Sequence, residues 1–291
     1  MTGPQEAVPG AGGVALIAGE GALPVALARK LSEEGRPPLV LALRDDLEAL
    51  APFAGKLIRL WAPSLGRGVK EMKAWGAETL IMAGYVPKRI IYGLPALFDP
   101  LTRAVLRRSL KDDHSLLGSI VSAFEAEGIA VIPYWQILPE FLAGEGRLAE
   151  RAPTEPEMRD IDCGRSILDV TLPCSFGQAV VVAGGAVVAV EAMEGTDAMI
   201  ERAGALAGRG VVVKMMRADQ DLRYDLPTVG PATIEGMRRA GLTCLAVEAG
   251  RTLILEPETT LSLAGGYGIA VWGLPSPSGA GRGGAGESGT P

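Results

Sequence analysis

The pattern that most constrains the fold lies near the start of the chain, where a short apolar strand runs directly into a glycine turn. Val14–Ala18 is uniformly apolar and predicts a buried strand. Gly19-Glu20-Gly21-Ala22-Leu23-Pro24 follows it, and apolar residues spaced four apart then predict a helix to about Gly35. Proline is tolerated in a first helical turn. Such a turn points backbone amides beyond the strand, toward a position that suits a phosphate or a sugar hydroxyl.

Apolar strands and helical patterns continue to alternate through the first half of the chain. This alternation predicts a right-handed parallel sheet, and hence a Rossmann-like α/β domain over residues 14–143. Ligands bind such sheets beyond the carboxyl ends of the strands, here Gly19–Leu23, Ala83–Val86 and the region of Tyr134. The further predicted strands are Leu39–Leu43, Leu57–Trp61, Thr79–Val86 and Ile129–Pro133, and the helices are Val69–Trp75, Pro95–Leu110 and Ser115–Glu127.

The second half predicts a different, mixed α/β domain with hairpins. Residues 144–157 are polar and rich in glycine and proline, which is typical of a linker, and residues 158–274 form the domain. Residues 1–13 and 275–291 lack the apolar content to fold and predict flexible tails. The predicted elements are a helix Met158–Leu172, a hairpin Gln178–Ala183 with Ala186–Glu191, a helix capped by Thr196, a strand at Val211, a helix Pro231–Ala240, a hairpin Thr243–Val247 with Thr252–Leu255, and a strand Tyr267–Trp272.

The composition excludes several classes of function. A net charge of -6, with no basic cluster, argues against a nucleic-acid binder. His114 is the only histidine, so a catalytic triad or a zinc site built on histidine would depend on one side chain. The three cysteines lack metal-ligand spacing, which favours a reduced, cytoplasmic setting. No apolar run reaches the ~20 residues of a spanning helix, so no transmembrane segment is expected.

The densest group of reactive side chains lies in Lys214–Ile234. If this stretch is extended, alternate residues share one face that suits a divalent cation and an anion. The residues on that face are Asp219, Asp221, Arg223 and Asp225. A solvated loop with internal ion pairs is the alternative. The rigid Leu226-Pro227-Thr228 exit favours a positioned metal ligand or base at Asp225.

Three shorter patterns are weaker candidates. Glu191, Glu194 and Asp197 could join Asp221 and Asp225 at a cation, and compensation of a helix dipole by Asp197 is the alternative. One of Asp112 and Asp113 is expected to cap a helix, which leaves the other open to a functional role. The third pattern is the glycine turn, which is similar to the dinucleotide fingerprint G-x-G-x-x-G. Pro24 replaces its third glycine, while Asp45 and Asp46 stand at the spacing of a ribose-binding acid.

Several motifs, in order along the chain, together resemble the LpxI-type UDP-2,3-diacylglucosamine pyrophosphatases. The likeness runs from about Val14 to Gly273 and covers both predicted domains. It rests on LIAGEGALP at Leu16–Pro24, MAGYV at Met82–Val86, KDDHSLL at Lys111–Leu117, EAMEGTDAM at Glu191–Met199, DLRYDLPTVGPATI at Asp221–Ile234 and EAGR at Glu248–Arg251.

The resemblance implies an enzyme of lipid A biosynthesis that requires Mg²⁺. It would hydrolyse UDP-2,3-diacylglucosamine to UMP and 2,3-diacylglucosamine 1-phosphate (lipid X), with attack at the phosphorus attached to the sugar. The resemblance also implies a homodimer and a substrate held between the two domains. Because the substrate is an amphipathic lipid, peripheral contact with the cytoplasmic face of the inner membrane is left open.

The resemblance and the residue chemistry together select the candidate site. Asp225 is the aspartate that the resemblance ties to catalysis. The expected catalytic residues are Asp225, Asp221, Arg223 and Lys214, of which Lys214 and Arg223 would meet phosphate oxygens. The expected Mg²⁺ ligands are Asp225, Asp221 and Glu191. The expected substrate contacts are Gly21, Ala22, Leu23, Gly84, Tyr85, Asp113, Glu191, Thr196, Asp197 and Thr228.

Two other functions remain alternatives at this point. An NAD(P)-dependent oxidoreductase would use the strand, glycine turn and helix, but Pro24 counts against it. A non-catalytic nucleotide-sugar-binding protein would use the same pocket, with the carboxylates in structural roles. Turnover of the nucleotide sugar separates this second alternative from the hydrolase.

Overall fold

The computed structural model describes residues 13–61, 63–86, 98–108, 113–174, 177–217 and 220–275, and the side chains of 108 and 113–115 are not described. Both predicted tails, apart from Gly13 and Pro275, therefore lie outside the described residues. The chain forms two compact units. The first contains residues up to Phe141 together with the segment Asp219–Leu226, and the second contains Leu142–Ala218 and the chain from Pro227 onward. The short acidic segment thus belongs to the first unit although its neighbours in sequence belong to the second.

The first unit is built on a five-stranded parallel sheet in the order β3-β2-β1-β4-β5. Leu41, Leu80 and Phe124 are fully buried in the core that packs helices onto this sheet. The Rossmann-like prediction for this half of the chain is confirmed. Its strands are β1 (Gly13–Ala18), β2 (Leu39–Ala42), β3 (Lys56–Arg59), β4 (Ala77–Ala83) and β5 (Ala130–Val131), and its helices are α1 (Leu23–Glu33), α2 (Leu65–Trp75), α3 (Pro100–Arg108) and α4 (Asp113–Ala126).

The second unit contains a six-stranded mixed sheet in the order β6-β13-β11-β9-β7-β8, and β10 pairs with β12 beside it. This confirms the predicted mixed α/β class. The strands are β6 (Gly146–Arg147), β7 (Ala179–Ala183), β8 (Ala186–Val190), β9 (Val211–Lys214), β10 (Thr228–Val229), β11 (Cys244–Glu248), β12 (Leu253–Ile254) and β13 (Ala270–Leu274). The helices are α5 (Glu155–Thr171), α6 (Thr196–Ala207), α7 (Pro231–Arg239) and α8 (Pro257–Gly266).

Alternating side chains of the central strands feed two apolar layers in the second unit, one on each face of the sheet. Val212 packs with residues of α6 and α7, whereas Val213 packs with residues of α5. Helix α5 lies very close to β9, because a Cβ added to Gly164 would stand 2.6 Å from Val213 Cγ2. This glycine weakens the helical pattern in the sequence, and close packing explains its presence there.

Two sequence-based predictions are wrong in the second half. Thr243–Val247 and Thr252–Leu255 do not form a hairpin, because β11 pairs in parallel with β9 and β13 while β12 pairs with β10. Thr196 does not cap α6; Gly195 is the cap residue, and the helix start has no side-chain capping bond. The extended conformation that would place alternate residues of Lys214–Ile234 on one face, a conditional expectation, is not found at Asp221–Asp225, because Tyr224 N and Asp225 N both donate to Asp221 O and close a turn.

The helices of the described chain can be compared with what a membrane span requires. None of them combines the length and the apolar composition that crossing a membrane would require.

Candidate active site

The carboxyl edge of the first sheet holds two glycine turns in direct contact. Gly19 N donates to Ala83 O at 2.8 Å, and Glu20 and Tyr85 exchange backbone hydrogen bonds of 2.7 and 3.0 Å. A Cβ at Gly19 would lie 2.6 Å from Tyr85 O. Only glycine permits this approach. The turns after β1 and β4 are thereby fixed side by side, at the switch point where such sheets bind ligands.

The start of α1 completes this edge. Its cap residue is Ala22, which provides no side-chain cap, so the first amides of the helix are left to another acceptor. Arg44, which follows the end of β2, donates to Gly21 O at 2.9 Å and so supports the turn. Among the predicted contact residues, Leu23 is buried in α1, whereas the side chain of Tyr85 is 64% exposed. The turn backbone and Tyr85 are therefore better placed than the Leu23 side chain to touch a ligand.

The turn that follows Gln220 presents Asp225. Gln220 Nε2 donates to Asp225 Oδ2 at 2.7 Å, and Gln220 is only 7% exposed. Two side chains from the chain after β5 hold the loop backbone. Tyr134 Oη accepts the Leu226 amide at 2.8 Å, and Trp135 Nε1 donates to Leu222 O at 3.1 Å. The backbone is therefore held on both sides of Asp225, at Leu222 and at Leu226.

The buried hydroxyl of Tyr134 is a neutral group in this arrangement. Burial raises its pKa far above the usual range, and the charge of Asp225 adds to the rise. Tyr134 can therefore accept the Leu226 amide at any physiological pH without losing its proton. Its role here is to hold the loop, since its side chain is almost fully buried.

Asp221 has a different environment from Asp225. Arg223 Nη2 donates to Asp221 Oδ2 at 2.6 Å, and Arg223 Nε lies 3.0 Å from each oxygen of the same carboxylate. Burial alone would raise the pKa of Asp221, but the hydrogen bonds and charge of Arg223 lower it overall. Arg223 Nη1 also donates to Glu125 on α4 at 2.7 Å. This pair therefore ties the loop to α4, and Asp221 is a neutralised carboxylate.

A second polar network lies in the second unit. Lys214 Nζ at the end of β9 donates to Thr196 Oγ1 and to Thr228 O, both at 3.0 Å. Thr196 in turn donates to Glu191 Oε1 at 2.8 Å, and Glu191 Oε2 accepts the Gln178 amide at 3.0 Å. Burial lowers the pKa of Lys214, whereas the charges of Glu191 and Asp197 act to raise it. The network joins four of the residues singled out in the sequence.

The EAGR motif forms a clamp in the same unit. Glu248 is 1% exposed, accepts the Met216 amide at 3.1 Å and accepts from Arg251 Nη1 at 2.9 Å. Arg251 Nη2 also donates to Arg217 O at 3.2 Å. The ion pair between Glu248 and Arg251 therefore fixes the backbone at Met216 and Arg217, just after the end of β9.

The candidate residues thus divide between the two units. Within the described chain, no group of three or more His, Cys, Asp and Glu side chains is arranged to hold a metal ion. Asp219 and the side chains of Asp113 and His114 lie outside the described residues. The first unit contains Gly21, Ala22, Leu23, Gly84, Tyr85, Asp221, Arg223 and Asp225, and the second contains Glu191, Thr196, Asp197, Lys214 and Thr228.

Of the three expected Mg²⁺ ligands, Asp225 fits a magnesium ion of the kind that binds partly through substrate. Mg²⁺ in phosphoryl-transfer sites is usually held by one or two carboxylates, with phosphate oxygens and water completing the shell. Asp225 accepts from a neutral amide, so its charge is not cancelled by a cationic partner there. Asp221 and Glu191 are less suited as described, since their oxygens accept from Arg223 and from Thr196 and Gln178.

The sequence analysis did not identify the residues that hold the loop Gln220–Leu226, called here the aspartate loop. Gln220, Tyr134, Trp135 and Glu125 were not among the candidates, although the Tyr134 region was recognised as a ligand edge. The signal that could have found the first two is chemical. Gln220 sits among three aspartates, and adjacent aromatic residues stand out in a chain with 5% aromatic content.

Both halves of the chain match the domains of one known protein family. Residues 13–141 match the LpxI N-terminal domain and residues 144–272 match the LpxI C-terminal domain. The UDP-2,3-diacylglucosamine pyrophosphatase LpxI of Caulobacter vibrioides is 34% identical over 271 residues, which cover 89% of this chain and 96% of that protein. Among solved structures, CobK precorrin-6A reductase aligns with 14% identity over 93% of this chain and 90% of its own chain, with a TM-score of 0.31. This structural similarity is too low to support a conclusion. Because both LpxI domains match in order across nearly the whole length, this chain belongs to the LpxI family.

Proposed function

We propose that this protein hydrolyses the pyrophosphate bond of UDP-2,3-diacylglucosamine, giving UMP and 2,3-diacylglucosamine 1-phosphate. The observation that carries the proposal is the match over both domains to a family whose Caulobacter member bears that name. The site supports it independently of the name, because it offers a carboxylate on a fixed loop and a glycine turn with uncapped helix amides. Phosphoryl transfer depends chiefly on such positioning and charge.

In the proposed reaction, a water oxygen forms a bond to the phosphorus that bears the sugar. The bridging bond from that phosphorus breaks, and its oxygen and electron pair leave with UMP. Asp225 orients the water and accepts its proton, because its carboxylate accepts from a neutral amide, whereas that of Asp221 is neutralised by an arginine. Asp225 is also the residue that would hold Mg²⁺ together with phosphate oxygens. When bound, the ion would supply positive charge that offsets the negative charge developing on the phosphoryl group.

The remaining polar groups are assigned to binding. We assign the turn at Gly21 and the start of α1 to a phosphate or ribose oxygen, since amides there lack a side-chain cap. Lys214 uses two of its three ammonium hydrogens within the protein, and the third is the proposed donor to phosphate. Arg223 has an internal role in this account, because its donors bond to Asp221 and Glu125.

The substrate also carries two acyl groups, which require apolar surface. A recess in the first unit is lined only by apolar atoms, between the start of α2 and the adjoining helices α3 and α4. Helix α2 follows β3 and α4 precedes β5, so the start of α2 lies at the carboxyl edge of the sheet. We propose that part of one acyl chain enters this recess. Its lining includes Leu65, Val105, Leu106, Leu116 and Ile120.

The hydrolysis proposal is tested by product analysis in H₂¹⁸O. The purified protein, UDP-2,3-diacylglucosamine and Mg²⁺ should release UMP, and mass spectrometry should find the label in the sugar 1-phosphate. Label in UMP would instead place the attack on the other phosphorus. Tight binding of the substrate without any UMP would favour the non-catalytic nucleotide-sugar-binding alternative.

Three further expectations depend on the family resemblance and need their own measurements. Excess EDTA should abolish UMP release and added Mg²⁺ should restore it; full activity in EDTA would reject the metal. Light scattering should report twice the mass of 30.2 kDa if the protein is a homodimer. Sedimentation with anionic vesicles tests peripheral contact with the cytoplasmic face of the inner membrane.

A further inference from the structure

We propose that Gln220 is a positioning residue that sets the orientation of the Asp225 carboxylate for the reaction. The proposal rests on the function proposed above, in which Asp225 acts on the attacking water. Gln220 itself touches the aspartate, not the substrate. Its amide donates to Asp225 Oδ2 at 2.7 Å, which is a short bond for a neutral donor.

The burial of Gln220 makes this contact more than a surface bond. The residue is 7% exposed, and an amide in such a place is costly unless it is hydrogen-bonded. The bond to one named oxygen also makes the two carboxylate oxygens inequivalent. Oδ2 accepts the amide, so the geometry assigns Oδ1 to the water.

The backbone on either side of the aspartate is already held. Tyr134 accepts the Leu226 amide, and Asp225 N donates to Asp221 O within the turn at 3.2 Å. The main freedom left to Asp225 is rotation of its own side chain, which the Gln220 bond restricts. Errors of about 1 Å in such a placement can cost about 100-fold in rate.

The chemical nature of the donor supports the same assignment. Arg223 neutralises Asp221, whose carboxylate serves as a structural anion. Gln220 is uncharged, so it orients Asp225 without cancelling the negative charge that a proton acceptor needs. The two described aspartates of this loop therefore have different partners. Asp221 pairs with the cation of Arg223, and Asp225 accepts from the neutral amide of Gln220.

The test is a kinetic comparison of Gln220→Leu with the wild type at saturating Mg²⁺. Leucine keeps the volume of the side chain and removes the donor. We expect kcat to fall about 10- to 100-fold, in line with a misplaced catalytic group, while KM and Tm stay near wild-type values. Gln136→Leu, which makes the same chemical change elsewhere in the first unit, is the matched control and should leave kcat unchanged.

A double-mutant cycle with Asp225→Asn separates positioning from general support. If Gln220 acts through Asp225, adding Gln220→Leu to Asp225→Asn should lower single-turnover rates by less than about twofold. An equal loss in both backgrounds, a raised KM or a lowered Tm would overturn the proposal. Wild-type kcat in Gln220→Leu beside an inactive Asp225→Asn would reject the inference and keep the proposed function. Full activity in Asp225→Asn would reject the inference and the role proposed for Asp225, whereas no UMP release by the wild type would reject the proposed function.

Discussion

The ion pair between Glu157 and Arg151 yields a prediction about stability in acid. Both guanidinium ends of Arg151 donate to this carboxylate at 2.7 Å, and Thr243 Oγ1 and the Thr154 amide donate at 2.6 and 2.8 Å. Burial acts to raise the pKa of Glu157, but these four donors lower it from 4.5 to about 2. The cluster joins the start of α5 to the residue before β11.

The size of the effect follows from linkage between protonation and folding. A shift from 4.5 to about 2 corresponds to at most about 3 kcal/mol at neutral pH. The folded-state pKa is the lower one, so this stability is present above pH 4.5 and is lost as the pH falls toward 2. About 1 kcal/mol should be lost by pH 4 and about 2 kcal/mol by pH 3.

Glu157→Gln isolates this contribution from other acid-titrating groups. The free energy of unfolding in urea, followed by circular dichroism, should be about 2–3 kcal/mol lower for the variant at pH 7. The difference should shrink steadily at pH 4 and pH 3. A difference that does not depend on pH, or one below about 0.5 kcal/mol at pH 7, would refute the reasoning.

Three further outcomes follow from the site. Glu248→Ala leaves the buried Met216 amide without its acceptor and should lower the free energy of unfolding in urea by about 2–4 kcal/mol; a loss below about 1 kcal/mol would contradict the clamp. Glu125→Gln weakens an ion pair with Arg223 in which Glu125 is 43% exposed, so the free energy of unfolding in urea should change by less than about 1 kcal/mol. The kcat of this variant should stay within about threefold of the wild-type value. Leu116→Trp should fill the apolar recess and raise KM about 10-fold for the diacyl substrate, but leave KM unchanged for an analogue without acyl chains. An equal rise in KM for both compounds would reject the recess.

Local patterns predicted much of the architecture. The strand, glycine turn and helix at the start of the chain form as expected, since the turn chemistry and the apolar spacing act over few residues. The hairpin of β7 and β8 also forms, because Gly184 and Gly185 both adopt positive φ angles that suit a tight turn. Pairings of this kind need no information from distant parts of the chain.

Long-range contacts account for what the sequence did not predict. Residues of β11 look like half of a hairpin, but their partners β9 and β13 come from outside the local segment. The aspartate loop bends because Asp221 O accepts two amides, and its anchors lie far away in sequence. Leu226 is 92 residues from Tyr134, and Leu222 is 87 residues from Trp135. Nothing in the spacing of the loop itself identifies those anchors.

The most direct test of the central claim is UMP release from UDP-2,3-diacylglucosamine by the wild type and by Asp225→Asn. Asparagine keeps the shape of the side chain but removes its charge and its capacity to accept a proton. The wild type should release UMP with Mg²⁺, and kcat for the variant should be lower by at least about 100-fold. Asp221→Asn serves as a comparison, because its carboxylate is neutralised by Arg223, and it should retain more activity than Asp225→Asn. UMP release by Asp225→Asn at the wild-type rate, or no UMP release by the wild type, would contradict the account.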